Sequence, residues 1–292
     1  MNQSFGDKVF GIINNSLLFI ILLVILYPLI FVLSASISNP MIVASGDLWL
    51  LPKELTFIGY KKVFQNQDIM NGYLNTLFYT TLGTLINVFM TTLGAYPLSR
   101  RDFYGKNIIM FFFVFTMFFS GGLIPTYLVI KNLGMLNSFW AIVIPNAVAV
   151  FNLIIMRTFF QQNIPQEVEE AAEIDGCSNF QILWRIVLPL STPIIAVMVL
   201  FYSVGHWNAY FDALIYLTDR EKFPLQLILR EILIQNSMDD MAGSSESMAQ
   251  QMLYAQSIKY AVVIVANLPV LLLYPFLQKY FVQGIMVGAV KG

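Results

Sequence analysis

The feature that most limits how this chain can fold is a series of long apolar segments. A helix needs roughly 20 mostly apolar residues to cross a hydrocarbon core of about 30 Å. Backbone groups inside lipid must bond to one another, so each such segment is predicted to be a transmembrane helix. The six predicted spans are Val9–Leu33, Tyr73–Tyr96, Ile108–Ile130, Phe139–Phe159, Ser191–Trp207 and Tyr260–Phe281.

Composition excludes a soluble protein with a large core. The chain is 58% hydrophobic and 11% charged, whereas a soluble domain is about 45–50% apolar and about 25% charged. The net charge of −1 and the lack of a basic cluster argue against nucleic-acid binding. A single cysteine and a single histidine exclude an intrachain disulfide and the usual zinc signatures. We therefore expect no metal site and no catalytic residues.

The short loops between predicted spans indicate the orientation. The link after the second span carries Arg100, Arg101 and Lys106, whereas the link after the third carries only Lys131. Short cytoplasmic loops are enriched in Lys and Arg, so the first link is expected inside, and with six spans both termini are cytoplasmic. We divide the chain into residues 1–72, a first helix with an extracytoplasmic loop, and residues 73–292, a five-helix core.

The most informative link is residues 163–189, between the fourth and fifth predicted spans. Pro165 suits the first position of a helix, and a dense run of acids follows it. Gly176 is expected to end that helix in the left-handed conformation, and a second, amphipathic helix is predicted from about Asn179 to Val187. These residues predict a cytoplasmic helix–turn–helix elbow. From them alone, a lever that contacts a motor and a linker that lies on the membrane remain alternatives, although many acids disfavour contact with anionic lipid.

The elbow also carries a motif with long fixed spacing. Glu170-Ala171-Ala172 is followed after three residues by Gly176, and after nine more by Ile-Val-Leu-Pro at 186–189. This pattern, E-A-A-x3-G-x9-I-x-L-P, resembles the EAA loop of binding-protein-dependent ABC importer permeases, and the resemblance covers nearly the whole chain. The segments 120–126 and 278–292 are similar to the carbohydrate (maltose-type, lipoprotein-permease-like) branch of that family.

The resemblance implies an all-α, polytopic type I importer permease with six transmembrane helices in the cytoplasmic membrane. It implies three kinds of partner: a second permease subunit, expected to be a sibling chain in a heterodimer, two ATPase subunits, and an extracytoplasmic sugar-binding protein. Its cargo would be carbohydrate, with an oligosaccharide expected. ATP and Mg would bind the partner ATPase, because this chain lacks a phosphate-binding loop; no cofactor is expected on the chain itself.

The family's EAA loop inserts into a cleft on the ATPase, so the resemblance also implies a set of contact residues. Glu170 would make a polar contact, Ala171 and Ala172 would allow close packing, and Gly176 would form the turn. Asp175 would cap the second helix or bond across the turn. The implied ATPase-coupling residues are Glu170, Ala171, Ala172, Asp175 and Gly176.

Polar residues and helix breaks inside the spans are candidates for the substrate path. Gly121, Gly122 and Pro125 interrupt the third predicted span, and Pro145-Asn146 interrupts the fourth. For any single polar residue, including Asn87, a hydrogen bond to a neighbouring helix is the commoner role. The substrate-path candidates are Asn146, Asn152, Tyr202, His206 and Trp207.

Three other classes of membrane protein compete with this interpretation. A secondary transporter or channel predicts ionisable residues at mid-membrane, and none of the predicted spans has an acid near its centre. A membrane enzyme needs an acid, base or nucleophile constellation, which one histidine, one cysteine and loop acids do not supply. A structural assembly subunit stays possible, but it leaves the EAA motif unexplained.

Overall fold

The computed structural model describes residues 5–239 and 258–272. Within these residues the regular structure is helical throughout, without a strand. The all-α prediction is therefore confirmed for the described part of the chain. The end of the sixth predicted span and the carboxy-terminal segment 278–292 lie outside the described residues.

The chain divides into two compact units, with boundaries at 70/71, 228/229 and 268/269. The first unit begins with three helices: α1 (Phe5–Ser36), α2 (Pro40–Ala44) and α3 (Ile58–Gln65). The apolar side chains of α1 are exposed on all sides along most of its length. A long helix whose apolar side chains are exposed on all sides is typical of a membrane span.

The helices of the second unit begin with α4, which starts just before the boundary. In chain order the further helices are α4 (Gln67–Ser99), α5 (Lys106–Phe118), α6 (Leu123–Asn132), α7 (Phe139–Val143), α8 (Val150–Asn163), α9 (Gln166–Ile174), α10 (Asn179–Ile182), α11 (Leu188–Leu190), α12 (Thr192–Asn208), α13 (Phe211–Tyr216), α14 (Leu225–Asp239) and α15 (Ile258–Leu272). A π-helical turn, Leu183–Val187, joins α10 to α11, and a 3₁₀ turn, Arg220–Lys222, precedes α14. Most of α14 and most of the last helix, α15, belong to the first unit.

Helix length and composition support fewer than six spans. Among the described residues, α1 and α4 are each long and apolar enough to cross a membrane, and the number rises to four if each of two bent pairs counts as one span. These pairs are α5 with α6, bent by 115°, and Asn179–Leu190 with α12, bent by 84°. The fourth predicted span consists of the short helices α7 and α8, so the six-span arrangement is not confirmed by length.

The predicted interruptions coincide with helix ends. Residues 119–122 separate α5 from α6, and Gly122 precedes α6 with a φ of +89°, a backbone conformation that favours glycine. Residues 144–149, which include Pro145-Asn146, separate α7 from α8. The sequence located both breaks, and the structure adds the bend angle at the first.

Side chains from α4 and α12 bond the backbone of the 144–149 break. Asn87 Nδ2 donates to the carbonyl oxygens of Asn146 at 2.6 Å and Ala147 at 3.0 Å. The Ala149 N–H donates to the Tyr202 hydroxyl at 3.1 Å, and that hydroxyl lies 2.6 Å from Thr91 Oγ1. Non-helical backbone at membrane depth requires such partners, since lipid offers none.

The same cluster brings α4 and α12 into close contact. His206 Nε2 donates to Asn87 Oδ1 at 2.7 Å. Gly83 allows this approach, because a Cβ atom at that position would lie only 2.6 Å from His206 Nε2. Asn87 therefore joins α4, α12 and the break through its amide group alone.

Replacing Asn87 by Leu removes these bonds while approximately keeping the side-chain volume. Two carbonyl groups and an imidazole nitrogen lose their partner, and each unsatisfied buried group costs about 1–3 kcal/mol. We expect Asn87→Leu to lower the unfolding midpoint of the detergent-solubilised protein clearly. The control is Asn267→Leu on α15, because the exposed Asn267 donates within its own helix, to Val263 O. Equal midpoints for the two variants would contradict this role of Asn87.

Candidate functional site

The predicted elbow consists of α9, a tight turn and α10. Pro165 precedes α9 as its N-cap, one position earlier than predicted, and Gly176 follows α9 with a φ of +78°. The Cys177 N–H donates to Ala172 O at 2.9 Å and the Gly176 N–H to Glu173 O at 3.0 Å. The left-handed glycine at the helix end is thus confirmed, and it turns the chain towards α10.

The cap of α10 differs from the prediction. Ser178 and Gln181 form a capping box, in which the Ser178 side chain accepts from the Gln181 N–H and the Gln181 side chain accepts from the Ser178 N–H. Asp175 instead lies exposed at the end of α9, where its N–H donates to Ala171 O at 3.0 Å. The Ser-x-x-Gln pattern is a known start signal of helices, so the sequence carried the information for this cap.

The inner face of the elbow belongs to the core of the second unit. Ala172, which is 6% exposed, lies in one buried cluster with Phe160 of α8 and Ile182 of α10. Residues of α4 and α12, among them Tyr96 and Met198, complete that cluster. Ala172 therefore packs inside this chain, and its small side chain serves close packing within the elbow.

The outer face of the elbow is exposed and mixed in character. Glu170, Ala171 and Asp175 are exposed, and Ile174 between them is 86% exposed. Phe180 of α10 is 62% exposed. Neither Ile174 nor Phe180 is among the predicted coupling residues, and large exposed apolar side chains mark a contact surface where they form a contiguous patch.

A buried arginine lies against the elbow. Arg100, directly after α4, is 9% exposed, and its guanidinium is ion-paired with Glu169 at 3.1 Å, with Glu173, and with Asp102 at 3.0 Å. Its Nη1 also donates to the Tyr96 hydroxyl at 3.5 Å. Glu169 and Glu173 are one helical turn apart on α9, so both carboxylates reach one guanidinium.

The arginine changes the acidity of the groups around it. The hydrogen bond from Arg100 lowers the pKa of Asp102. Burial raises the pKa of Glu169 despite the neighbouring guanidinium. Burial also disfavours the charged form of Arg100, but the hydrogen bonds to Asp102 and Glu173 outweigh it, so its pKa is raised. Arg100 thus remains a cation that neutralises carboxylates on two parts of the chain.

A cavity of about 590 Å³ opens beside this arginine. Its lining combines Arg100 and Arg101 with five carboxylates and with polar residues at the end of α8. The lining carboxylates are those of Asp102, Glu167, Glu169, Glu170 and Glu173. The side of the elbow next to the link after α4 is therefore negatively charged.

Three of the five substrate-path candidates meet at the 144–149 break. Asn146 is exposed and donates to Asp212 Oδ2 at 2.9 Å, while Tyr202 and His206 belong to the cluster around Asn87. Asn152 is buried, at 7% exposure. Trp207 is also buried, and its ring packs edge-on against Tyr73, with centroids 5.8 Å apart.

Asp212 is the polar residue that sequence reasoning missed at this break. It lies half-buried on the short helix α13, which follows the fifth predicted span. Its position in a long loop gave no periodic signal, and only the contact with Asn146, 66 residues earlier, places it at the break.

Two proteins of Bacillus subtilis are similar to this chain over nearly its whole length. Protein LplC of Bacillus subtilis is 41% identical over 100% of this chain and 98% of its own length. The polygalacturonan/rhamnogalacturonan transport system permease protein YtcP of the same organism is 43% identical over 98% of this chain and 99% of its own length.

A solved structure and a family profile agree with these relatives. A chain of a bacterial ABC transporter involved in the import of the acidic polysaccharide alginate superposes with a TM-score of 0.87 at 35% identity, over 96% of this chain and 99% of that one. The profile of the binding-protein-dependent transport system inner membrane component matches residues 69–287. This protein therefore belongs to the family of inner membrane components of binding-protein-dependent transport systems.

Proposed function

We propose that this chain is a permease subunit of an ATP-driven importer for carbohydrate, with an oligosaccharide as its cargo. The names of the relatives support the cargo class. YtcP is named for polygalacturonan and rhamnogalacturonan transport, and the structural neighbour belongs to an alginate importer. These cargoes share a chain of sugar units, so carbohydrate is the class that the comparisons favour.

The observation that carries the proposal is the division of the elbow into two faces. Ala172 and Ile182 are buried in this chain, whereas Glu170, Ala171 and Ile174 are exposed beside them. A rigid, internally packed helix pair with an apolar and acidic outer face is suited to bind a second protein. Since the chain has no phosphate-binding loop, the partner at this face is the ATPase, which holds ATP and Mg.

We place six segments across the membrane, with both termini and the elbow in the cytoplasm. Arg100, Arg101 and Lys106 lie in the short link beside the elbow, as the distribution of cations in membrane proteins favours. In this arrangement α7 and α8 together form the fourth span, interrupted at 144–149. Residues 1–72 provide the first span and an extracytoplasmic loop, and residues 73–292 form the transport core.

Partners complete the transporter. A second permease, a sibling chain in our proposal, forms the other half of the path, and two ATPase subunits dock at the two elbows. An extracytoplasmic sugar-binding protein delivers the cargo to the opposite side. Closure of the ATPase pair pushes on Glu170, Ala171 and Ile174, and the packed inner face passes that push to α4, α8 and α12 through their shared cluster.

The 144–149 break is our candidate for the cargo path. Asn87 lies twelve residues before the cytoplasmic end of α4. At a rise of about 1.5 Å per residue it is about 18 Å from that end, which is near the middle of a hydrocarbon core of about 30 Å. Asn146 and Asp212 offer an amide and a carboxylate there, and both groups bond sugar hydroxyls. Tyr202 and His206 hold the break in place, and Trp207 and Asn152 pack within the protein.

Ala171→Arg tests the outer face. A long cation at this exposed position keeps the ATPase surface from approaching closely but does not disturb the core. We therefore expect the protein to fold and insert while sugar uptake falls at least tenfold. A tenfold change corresponds to about 1.4 kcal/mol of lost coupling free energy. Uptake into proteoliposomes that contain the complete transporter measures the effect. Ala171→Ser is the matched control and keeps uptake, because it adds only a hydroxyl. Normal uptake by Ala171→Arg would contradict the proposed docking face.

Asn146→Leu and Asp212→Leu test the cargo path. Each removes one polar group at the break, and the loss of one hydrogen bond to cargo costs about 1 kcal/mol, or roughly fivefold in transport rate. We expect reduced uptake with unchanged co-purification of the ATPase. Thr116→Val on α5 is the control, because the exposed Thr116 hydroxyl bonds within its own helix, to Phe113 O at 2.7 Å. Unchanged uptake in both variants would remove the break from the path.

A further inference from the structure

Arg100 connects two parts of the chain that are far apart in sequence. It directly follows α4, and its partners Glu169 and Glu173 lie on α9, about seventy residues later. Its guanidinium has five N–H donors in a planar fork, which suits several carboxylates at once. At 9% exposure it is screened from water far more than an ordinary surface ion pair.

The position of the two glutamates determines which way α9 faces. Glu169 and Glu173 are four residues apart, so they lie one above the other on one side of the helix. Buried Ala172 is next to them in sequence, and exposed Glu170, Ala171 and Ile174 occupy the other positions of the same two turns. A rotation of α9 by one residue would separate both carboxylates from Arg100 and would turn the outer face away.

The contact extends beyond α4. Lys106, the first residue of α5, donates through Nζ to the carbonyl oxygens of Arg100 at 2.6 Å and Arg101 at 3.2 Å. Asp102 holds the guanidinium from the link side, with Nε at 3.0 Å and Nη2 at 3.4 Å. The link after α4, the start of α5 and the elbow are thus connected through the backbone and side chain of one residue.

We infer that Arg100 is a positioning residue, which fixes the rotation of α9 and passes the movement of the elbow directly to α4 and α5. This inference rests on the proposed coupling function of the elbow. The backbone already connects α9 to α8 on one side and to α12 on the other. Without Arg100 the elbow would still bind the ATPase through its outer face, but it would lose its ion pairs to the link after α4. The movement would then reach α4 indirectly, through the shared apolar cluster and through the bonds of α4 to α8 and α12.

The test compares three sets of variants in the complete transporter, reconstituted in proteoliposomes: Arg100→Gln, the double variant Glu169→Gln with Glu173→Gln, and the triple variant. Two quantities are measured, namely ATPase co-purification and sugar molecules transported per ATP hydrolysed. We expect Arg100→Gln to retain the ATPase but to lower the transport ratio by about tenfold, a typical size for coupling between two sites. The double variant should behave in the same way.

The triple variant separates one interacting unit from independent effects. If the three residues act as one unit, the triple variant loses no more than Arg100→Gln, because residues in a shared network are not additive. If Arg100→Gln fails to fold, the Glu169→Gln, Glu173→Gln double variant decides the question, since it removes both carboxylates of the elbow and leaves Arg100 paired with Asp102.

Two results would overturn the inference. One is a wild-type transport ratio in the Arg100→Gln variant or in the Glu169→Gln, Glu173→Gln double variant, and the other is a multiplicative loss in the triple variant. Failure of the ATPase to bind wild-type elbow is a different result, because it removes the proposed function and not only the role of Arg100. Gln162→Ala is the matched control, since this exposed residue lines the same cavity without belonging to the ion-pair cluster, and it should keep the wild-type ratio.

Discussion

The structure depends on one constraint, that backbone polar groups inside lipid find partners only within the protein. Helices meet this requirement by themselves, and the described residues accordingly contain helices and no strands. The 144–149 break meets it through side chains, with Asn87 and Tyr202 bonding the exposed peptide groups. An interruption that would be costly in hydrocarbon is thereby held in one defined geometry, and beside it Asn146 donates to Asp212.

Outside the hydrocarbon this constraint does not apply, and ion pairs between charged side chains can join parts of the chain. The elbow combines an apolar inner face, which includes Ala172, with an acidic side that Arg100 partly neutralises. The two elbow carboxylates of Glu169 and Glu173 pair with the guanidinium of Arg100 and hold the elbow against the link after α4 without a covalent connection, while Asp102 orients that guanidinium from within the link. The elbow thus packs against the core through its inner face and leaves Glu170, Ala171 and Ile174 exposed on its outer face. The rotation of α9 also gives the two alanines of the EAA sequence different surroundings. Ala171 and Ala172 are adjacent, but Ala171 faces outwards and Ala172 faces inwards.

Much of this architecture follows from local sequence. Long apolar segments predicted the helices, glycine and proline located the breaks, and Gly176 was expected in the left-handed conformation that the structure gives it. Three features did not follow. The ion pairs of Arg100 with Glu169 and Glu173 depend on a tertiary contact across about seventy residues. The burial of Ala172 depends on the rotation of α9. The contact between Asp212 and Asn146 depends on how the loop after the fifth predicted span folds. The number of long helices also differs from the six predicted spans, because bends divide several apolar segments into shorter helices.

The most direct test of the account is site-specific crosslinking of the elbow to the ATPase. In a Cys177→Ser background, a single cysteine replaces either Ala171 or Ala172, and the complete transporter is treated with a thiol crosslinker with and without nucleotide. The account predicts a nucleotide-dependent crosslink from position 171, which is exposed, and little or none from position 172, which is buried. No crosslink from position 171 in a folded, inserted transporter, or equal crosslinks from both positions, would contradict the central claim that the outer face of the elbow is where the motor engages this permease.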